Sequence, residues 1–93
     1  MEDIRSRLGN RIRFLRKGQK LSQEALALKA GLDRTYVASI ECGNRNVSIL
    51  NIERIAAALN ISLAEFFNAD EFVKIPNFIS LNKVADKSGR KYK

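Results

Sequence analysis

Arg34, Thr35 and Ser39 share the exposed face of a short helical stretch, "GLDRTYVASIECGNRN", that runs from Gly31 to Asn46. A globular helix needs only generic solubilising charge there. A guanidinium and two hydroxyls form instead a hydrogen-bonding surface, suited to holding a partner rather than to breaking bonds. The groups that would make it a catalyst are missing. The chain contains no His, so the usual general base and the commonest metal ligand are both lacking. Cys42 is the single cysteine, which rules out an internal disulfide and a Cys-based zinc cluster, and it has no His to activate it. It is expected to be a small half-buried side chain near a helix end. There is no paired-carboxylate motif and no phosphate-cradling Gly loop. The expectation is a binding protein with no catalytic residue, no metal and no cofactor.

The charge says what kind of partner that face meets. Seventeen Lys and Arg stand against ten Asp and Glu, a net charge of +7 over 93 residues. Residues 1–20 hold seven basic and two acidic side chains, residues 68–93 hold six and three, and the middle is near neutral. Such a balance favours polyanions, nucleic acid before anionic membrane. An arginine-studded start and the absence of any long apolar run argue against a signal peptide and a membrane span, so the expected location is the cytoplasm.

The elements that position the face can be read from apolar spacing and capping residues. Ile4, Leu8, Ile12 and Leu15 form one stripe of a first helix, roughly residues 2–17, ended by Gly18. Most of its arginines lie off the stripe and are expected to form a solvated face. Ser22 caps "QEALALKA", with Glu24 in the first turn and Gly31 as the stop. Asp33 opens "RTYVASIEC", anchored inward by Val37 and Ile40 and ended by Gly43. Ser48 caps a fourth helix in which Ile49, Ile52, Ile55, Ala56 and Leu59 share one side, with Asn60 as a left-handed stop. Ser62 and Glu65 have capping-box spacing ahead of Phe66 and Phe67. The result is an all-α bundle of five helices over residues 1–67. Residues 68–93 follow as a C-terminal arm: apolar and strand-like or irregular from Phe72 to Leu81, then frayed and basic, dimer-associated or partly disordered.

Two helices of about eight residues joined by "GLD" have the dimensions of a helix-turn-helix. Counting from Gln23 as position one, small Ala27 falls at five, Gly31 at nine, Val37 at fifteen and Ile40 at eighteen. These meet the needs of close helix approach, a positive-φ turn and two buried anchors. The run "LSQEALALKAGLDRTYVASIECGNRNVSILNIERIAAALNIS" resembles the Cro/repressor (XRE-type) helix-turn-helix domain of phage repressors. Within it, "GLDRTYVASIE" followed by "NRNVS" is similar to the controller proteins of restriction-modification systems. The resemblance covers residues 1 to about 67 and implies a lambda-repressor-like fold. Leu50 departs from it, standing where a polar or acidic residue is usual, and so does Cys42, where Asn or Arg is more common.

What the resemblance implies for single residues follows the motif. The second helix enters the major groove of double-stranded DNA, with Arg34, Thr35 and Ser39 facing base edges. Arg34 suits guanine O6 and N7, Thr35 has a methyl suited to thymine, and Ser39 is short enough to act through water. Gln23 joins a phosphate clamp at a helix N-terminus. Asn44, Arg45 and Asn46 form a second backbone clamp, and Tyr36 either meets sugar-phosphate or is partly buried in the core. Arg16 and Glu41 pair with each other as a structural ion pair.

One recognition helix reads about four or five base pairs, too few to find a site among a genome's competitors. A homodimer on a palindromic operator is therefore expected, its helices about 34 Å apart. Leu50, off the core stripe, and Leu63, Phe66 and Phe67, on a helix too short to bury them all, are the expected interface. The functional expectation is a transcription regulator, a controller binding its own promoter, with RNA polymerase as a further partner. A phage-type repressor, an antitoxin autoregulator and a protein-interaction module that kept the fold are the alternatives.

Overall fold

The computed structural model describes residues 3–73 and 75. Helix α1 spans Ile4–Gly18, α2 Gln23–Ala30, α3 Arg34–Glu41, α4 Ile49–Ala58 and α5 Leu63–Phe67, followed by a single 3-10 turn at Asp70–Phe72. No strand occurs among the described residues. The apolar half of the arm lies mainly outside them, as does its basic end.

Local chemistry explains the boundaries. The hydroxyls of Ser22, Ser48 and Ser62 each accept from the backbone N–H three residues on, at 3.0 to 3.1 Å, which satisfies one of the four orphan donors of each helix start. At Ser62 the serine half of the capping box forms, and no bond from the Glu65 carboxylate returns to Ser62 among the described residues. Gly31 turns α2 out at φ 70°, and Asn60 follows α4 at φ 62°. Gly18 does not stop α1 as expected. It is the last helical residue, Gln19 is the cap, and Lys20 takes the positive φ of 58°.

The core is one cluster drawn from every helix: Leu8 and Ile12, Leu26, Ala27 and Ala30, Val37 and Ile40, Ile52, Ile55, Ala56 and Leu59, and Phe66. Helix α3 packs on α1 and α2, and α2 also packs on α4. Where α1 crosses the end of α3 the spacing leaves no room for a side chain. A Cβ on Gly9 would fall on the carbonyl oxygen of Ile40 and lie 2.8 Å from that of Glu41. Alanine at a free helix position gains about 1 kcal/mol over glycine. Here Gly9→Ala should instead destabilise by about 1–3 kcal/mol, because backbone carbonyls at a helix crossing cannot swing aside. Urea unfolding of the variant checks the sign.

Two expectations about burial need correction. Phe66 is fully buried within its own subunit, so its side chain is core and not interface. It meets Phe67 edge-on at 4.9 Å between centroids and stacks near Phe72 at 6.4 Å, while Phe67 and Phe72 meet edge-on at 5.0 Å. The 3-10 turn after α5 folds Phe72 back to complete this cluster. Ile49 is the converse case. It lies at the start of α4 and is 65% exposed rather than sharing the core side.

The arginines of α1 are not a simple solvated face either. Arg11 donates from Nε to the Phe66 carbonyl at 2.8 Å and from Nη2 to that of Glu65 at 3.0 Å. Arg7 donates to the Glu71 carbonyl at 3.1 Å, and Arg13 to that of Glu41 at 2.7 Å. Each holds carbonyls near the end of a later element, where unpaired acceptors and the helix dipole favour a cation. Arg5 bonds the adjacent Asp3 carboxylate and does remain at the surface.

Candidate nucleic-acid interface

Arg34 is the first residue of α3 and exposed, and its side chain makes no hydrogen bond to another described residue. Thr35 beside it is exposed, and its hydroxyl donates to Asp33 Oδ2 at 2.7 Å. Asp33 occupies the cap position, yet its side chain makes no cap bond, having turned to Thr35 instead. Ser39 is half-buried one turn further along α3, and its oxygen accepts from Nε of Arg45 at 3.2 Å.

Arg45 reaches that hydroxyl because the chain turns sharply after α3. Gly43 takes φ 80°, and a Cβ on it would lie 2.8 Å from Ser6 Oγ. The segment that follows is thereby directed back along the exposed side of α3, with the Asn44 N–H donating to the Ser39 carbonyl at 3.0 Å. The Arg45 guanidinium stands over the Tyr36 ring, 5.2 Å from its centroid. The Tyr36 hydroxyl accepts from Asn51 Nδ2 at 3.1 Å, while its half-buried ring packs against the core. Arg34, Thr35, Ser39, Tyr36 and Arg45 thus lie on one helix and the turn that it leads into. Asn44 and Asn46 flank Arg45 and are exposed.

Behind this face lies a buried polar cluster. Arg16 and Glu41 pair through two bonds, Nε to Oε2 at 2.7 Å and Nη2 to Oε1 at 2.9 Å. Arg16 Nη1 also donates to the Leu21 carbonyl at 2.8 Å. Glu41 is 2% exposed. Burial pushes its carboxyl up, but the bonds from Arg16 and Gln23 and the charges of Arg16 and Arg13 outweigh that. The carboxyl is held below its ordinary value of 4.5. Arg16 is raised in turn, chiefly by its bond to Glu41. No buried side-chain polar atom among the described residues lacks a partner, so the cluster avoids the penalty of an unpaired interior charge.

Gln23 belongs to that cluster, donating from Nε2 to Glu41 Oε1 at 3.0 Å. Its amide therefore braces α2 against α3, while its backbone begins α2. Sequence reasoning passed over Asp33 as more than a cap, and over Arg13 and Asn51. Nothing in their spacing marks them, since each acts through a partner chosen by the packing. Cys42 is exposed and not half-buried. Leu50 is 58% exposed next to Ile49, while Leu63 and Phe67 are half-buried. Three or more His, Cys, Asp or Glu do not cluster anywhere among the described residues, and no described helix is long and apolar enough to cross a membrane.

A short turn between α2 and α3, with α3 carrying a polar face away from the core, defines a helix-turn-helix protein. The helix-turn-helix family model matches residues 12–66, and the chain belongs to that family, in its Cro/repressor (XRE) branch. Within the family it is similar to restriction-modification controllers. Control protein C.MunI from a Mycoplasma species is 52% identical over 69 residues, which make up 73% of this chain and 93% of that protein. The structure of the controller C.AhdI from Aeromonas hydrophila superposes with a TM-score of 0.66 at 49% identity, covering 68% of this chain and 96% of that one. The controller C.Esp1396I, solved as a tetramer in complex with its natural 35 base-pair operator, matches with a TM-score of 0.73 at 34% identity, over 80% of this chain and all of that one.

Proposed function

We propose that this protein is a cytoplasmic, homodimeric transcription regulator that binds a palindromic operator in double-stranded DNA and controls a restriction-modification system from its own promoter. The observation that carries this reading is the exposed Arg34 guanidinium at the first turn of α3, on a fold shared with a controller held on its operator. A guanidinium there can take guanine O6 and N7 together, with Thr35 and Ser39 on neighbouring base edges. Gln23 and the free N–H groups of the α2 start hold one phosphate. Tyr36, Asn44, Arg45 and Asn46 hold the backbone on the other side. Residues 1–67 form the DNA-binding unit and residues 68–93 the arm. Leu50, with Ile49 beside it, supplies exposed apolar surface for the second subunit, and the outer parts of Leu63 and Phe67 add to it.

The test is binding to a duplex from just upstream of the protein's own gene, with a scrambled duplex beside it, each at two salt concentrations. A regulator of that promoter prefers the native duplex at the higher salt, whereas binding by charge alone collapses equally on both. Arg34→Ala should cost about 1–3 kcal/mol on the operator and little on the scramble. Equal losses on the two would remove Arg34 from base reading.

A further inference from the structure

The two hydroxyls of the recognition face are each tied to a partner whose chemistry leaves no choice of direction. A carboxylate oxygen only accepts, so at 2.7 Å from Asp33 Oδ2 the proton of Thr35 points at Asp33. A guanidinium only donates, so at 3.2 Å from Arg45 Nε the oxygen of Ser39 is the acceptor. A hydroxyl has one proton and two acceptor sites. Thr35, its proton committed, is left with lone pairs only; Ser39, with one lone pair committed, keeps its proton and one acceptor site.

The Asp33 carboxylate makes no helix-cap bond, so its bond to Thr35 replaces the usual cap. Arg45 is stacked on Tyr36, which fixes Nε toward Ser39 and leaves the terminal nitrogens for phosphate. A carboxylate facing a polyanion is electrostatically unfavourable, which gives its presence on this face a need for explanation.

We infer that Asp33 and Arg45 are positioning residues that set the hydrogen-bonding polarity of the recognition face, making Thr35 an acceptor and Ser39 a donor toward DNA. This rests on the base-reading role proposed above and adds direction to it. In the major groove, Thr35 then selects a base with an exocyclic amine, adenine N6 or cytosine N4. Ser39, whose proton is uncommitted, can give it to guanine O6 or N7, thymine O4 or adenine N7.

The test uses the full chain. Operators are selected from a duplex library randomised over one half-site, and every single base-pair variant of the selected site is titrated. The proteins are wild type, Thr35→Val, Ser39→Ala, Asp33→Ala and Asp33→Asn, with thermal unfolding as a check of fold. Thr35→Val, which keeps the shape, should flatten one position, where wild type prefers adenine or cytosine by about 3- to 10-fold, the worth of one hydrogen bond. Asp33→Ala should flatten that same position. Asp33→Asn should preserve it, because its carbonyl oxygen still accepts from Thr35. Both Asp33 variants should bind all DNA more tightly, a common gain that leaves preference untouched. At the position flattened by Ser39→Ala, wild type should favour a base that accepts in the major groove over cytosine.

A guanine or thymine preference at the Thr35 position overturns the inference, as does the absence of any position responding to Thr35→Val. An unchanged preference in Asp33→Ala overturns the part played by Asp33, and a cytosine preference at the Ser39 position overturns that of Arg45. A wild-type protein with no base preference at any position overturns the base-reading role as well, and is told apart by that uniformity.

Discussion

Glu41→Ala should remove about 3–5 kcal/mol of folding stability, the cost of breaking a buried ion pair from one side. The side chain is closed off from water and accepts from Arg16 twice and from Gln23 once, with Arg13 at 3.7 Å. Taking it away leaves the Arg16 guanidinium buried without its counter-charge and releases the brace between α2 and α3. Domains of this size are stable by about 5–15 kcal/mol, so the variant would lose a large share of its stability. Equilibrium urea unfolding measures the loss. A deficit under about 1 kcal/mol would mean that solvent reaches the pair far more than its burial indicates.

The same carboxyl makes an acid limb. Its folded-state value lies below the ordinary 4.5, so the unfolded chain binds the proton more readily. Stability from Glu41 is then fully present above about pH 4.5 and is lost as pH falls through the folded value. Glu41→Gln, less stable at neutral pH, should show a flatter stability profile in this range. Asp3 is also lowered, first by its side-chain bond from Arg5, but it lies at the surface and is screened by solvent. An acid limb in Glu41→Gln as steep as in wild type would point to another carboxylate.

Phe66→Ala should cost about 3–5 kcal/mol, transfer and cavity together. The ring is completely buried and anchors Phe67 and Phe72, so its loss also frees the 3-10 turn. At about 4–8 °C per kcal/mol for a domain of this size, the midpoint should drop by more than about 12 °C. Leu50→Ala supplies the contrast. That side chain is 58% exposed, so folding should change little while sedimentation shifts toward monomer. A Phe66→Ala protein that keeps its midpoint but dissociates would return Phe66 to the interface.

Phe66 and Phe67 also show where reading the residues stops. They are identical in type and adjacent, on a five-residue helix whose periodicity is too short to choose between them. Which ring goes inside depends on how α5 lies on the bundle, and its end is tied to α1 by Arg11 bonding the Phe66 carbonyl from 55 residues away. Arg11 itself reads as one more surface cation. Ile49 fits the apolar stripe of α4 but extends past the edge of the bundle, so it is exposed. Gln23 reads as a helix-start polar residue until α2 and α3 close around Glu41.

The chain's amino-acid order by itself determined the features that neighbours within about one helical turn decide. Serine caps at 22, 48 and 62 and left-handed stops at Gly31 and Asn60 follow from local backbone chemistry. Ala27, Gly31, Val37 and Ile40 at their offsets marked the turn between two helices, and the family pattern paired Arg16 with Glu41. Tertiary structure alone decided which apolar residues are core and which arginines are helix-end clamps. Those outcomes depend on angles between helices and on partners distant in sequence, and residue periodicity carries no record of either.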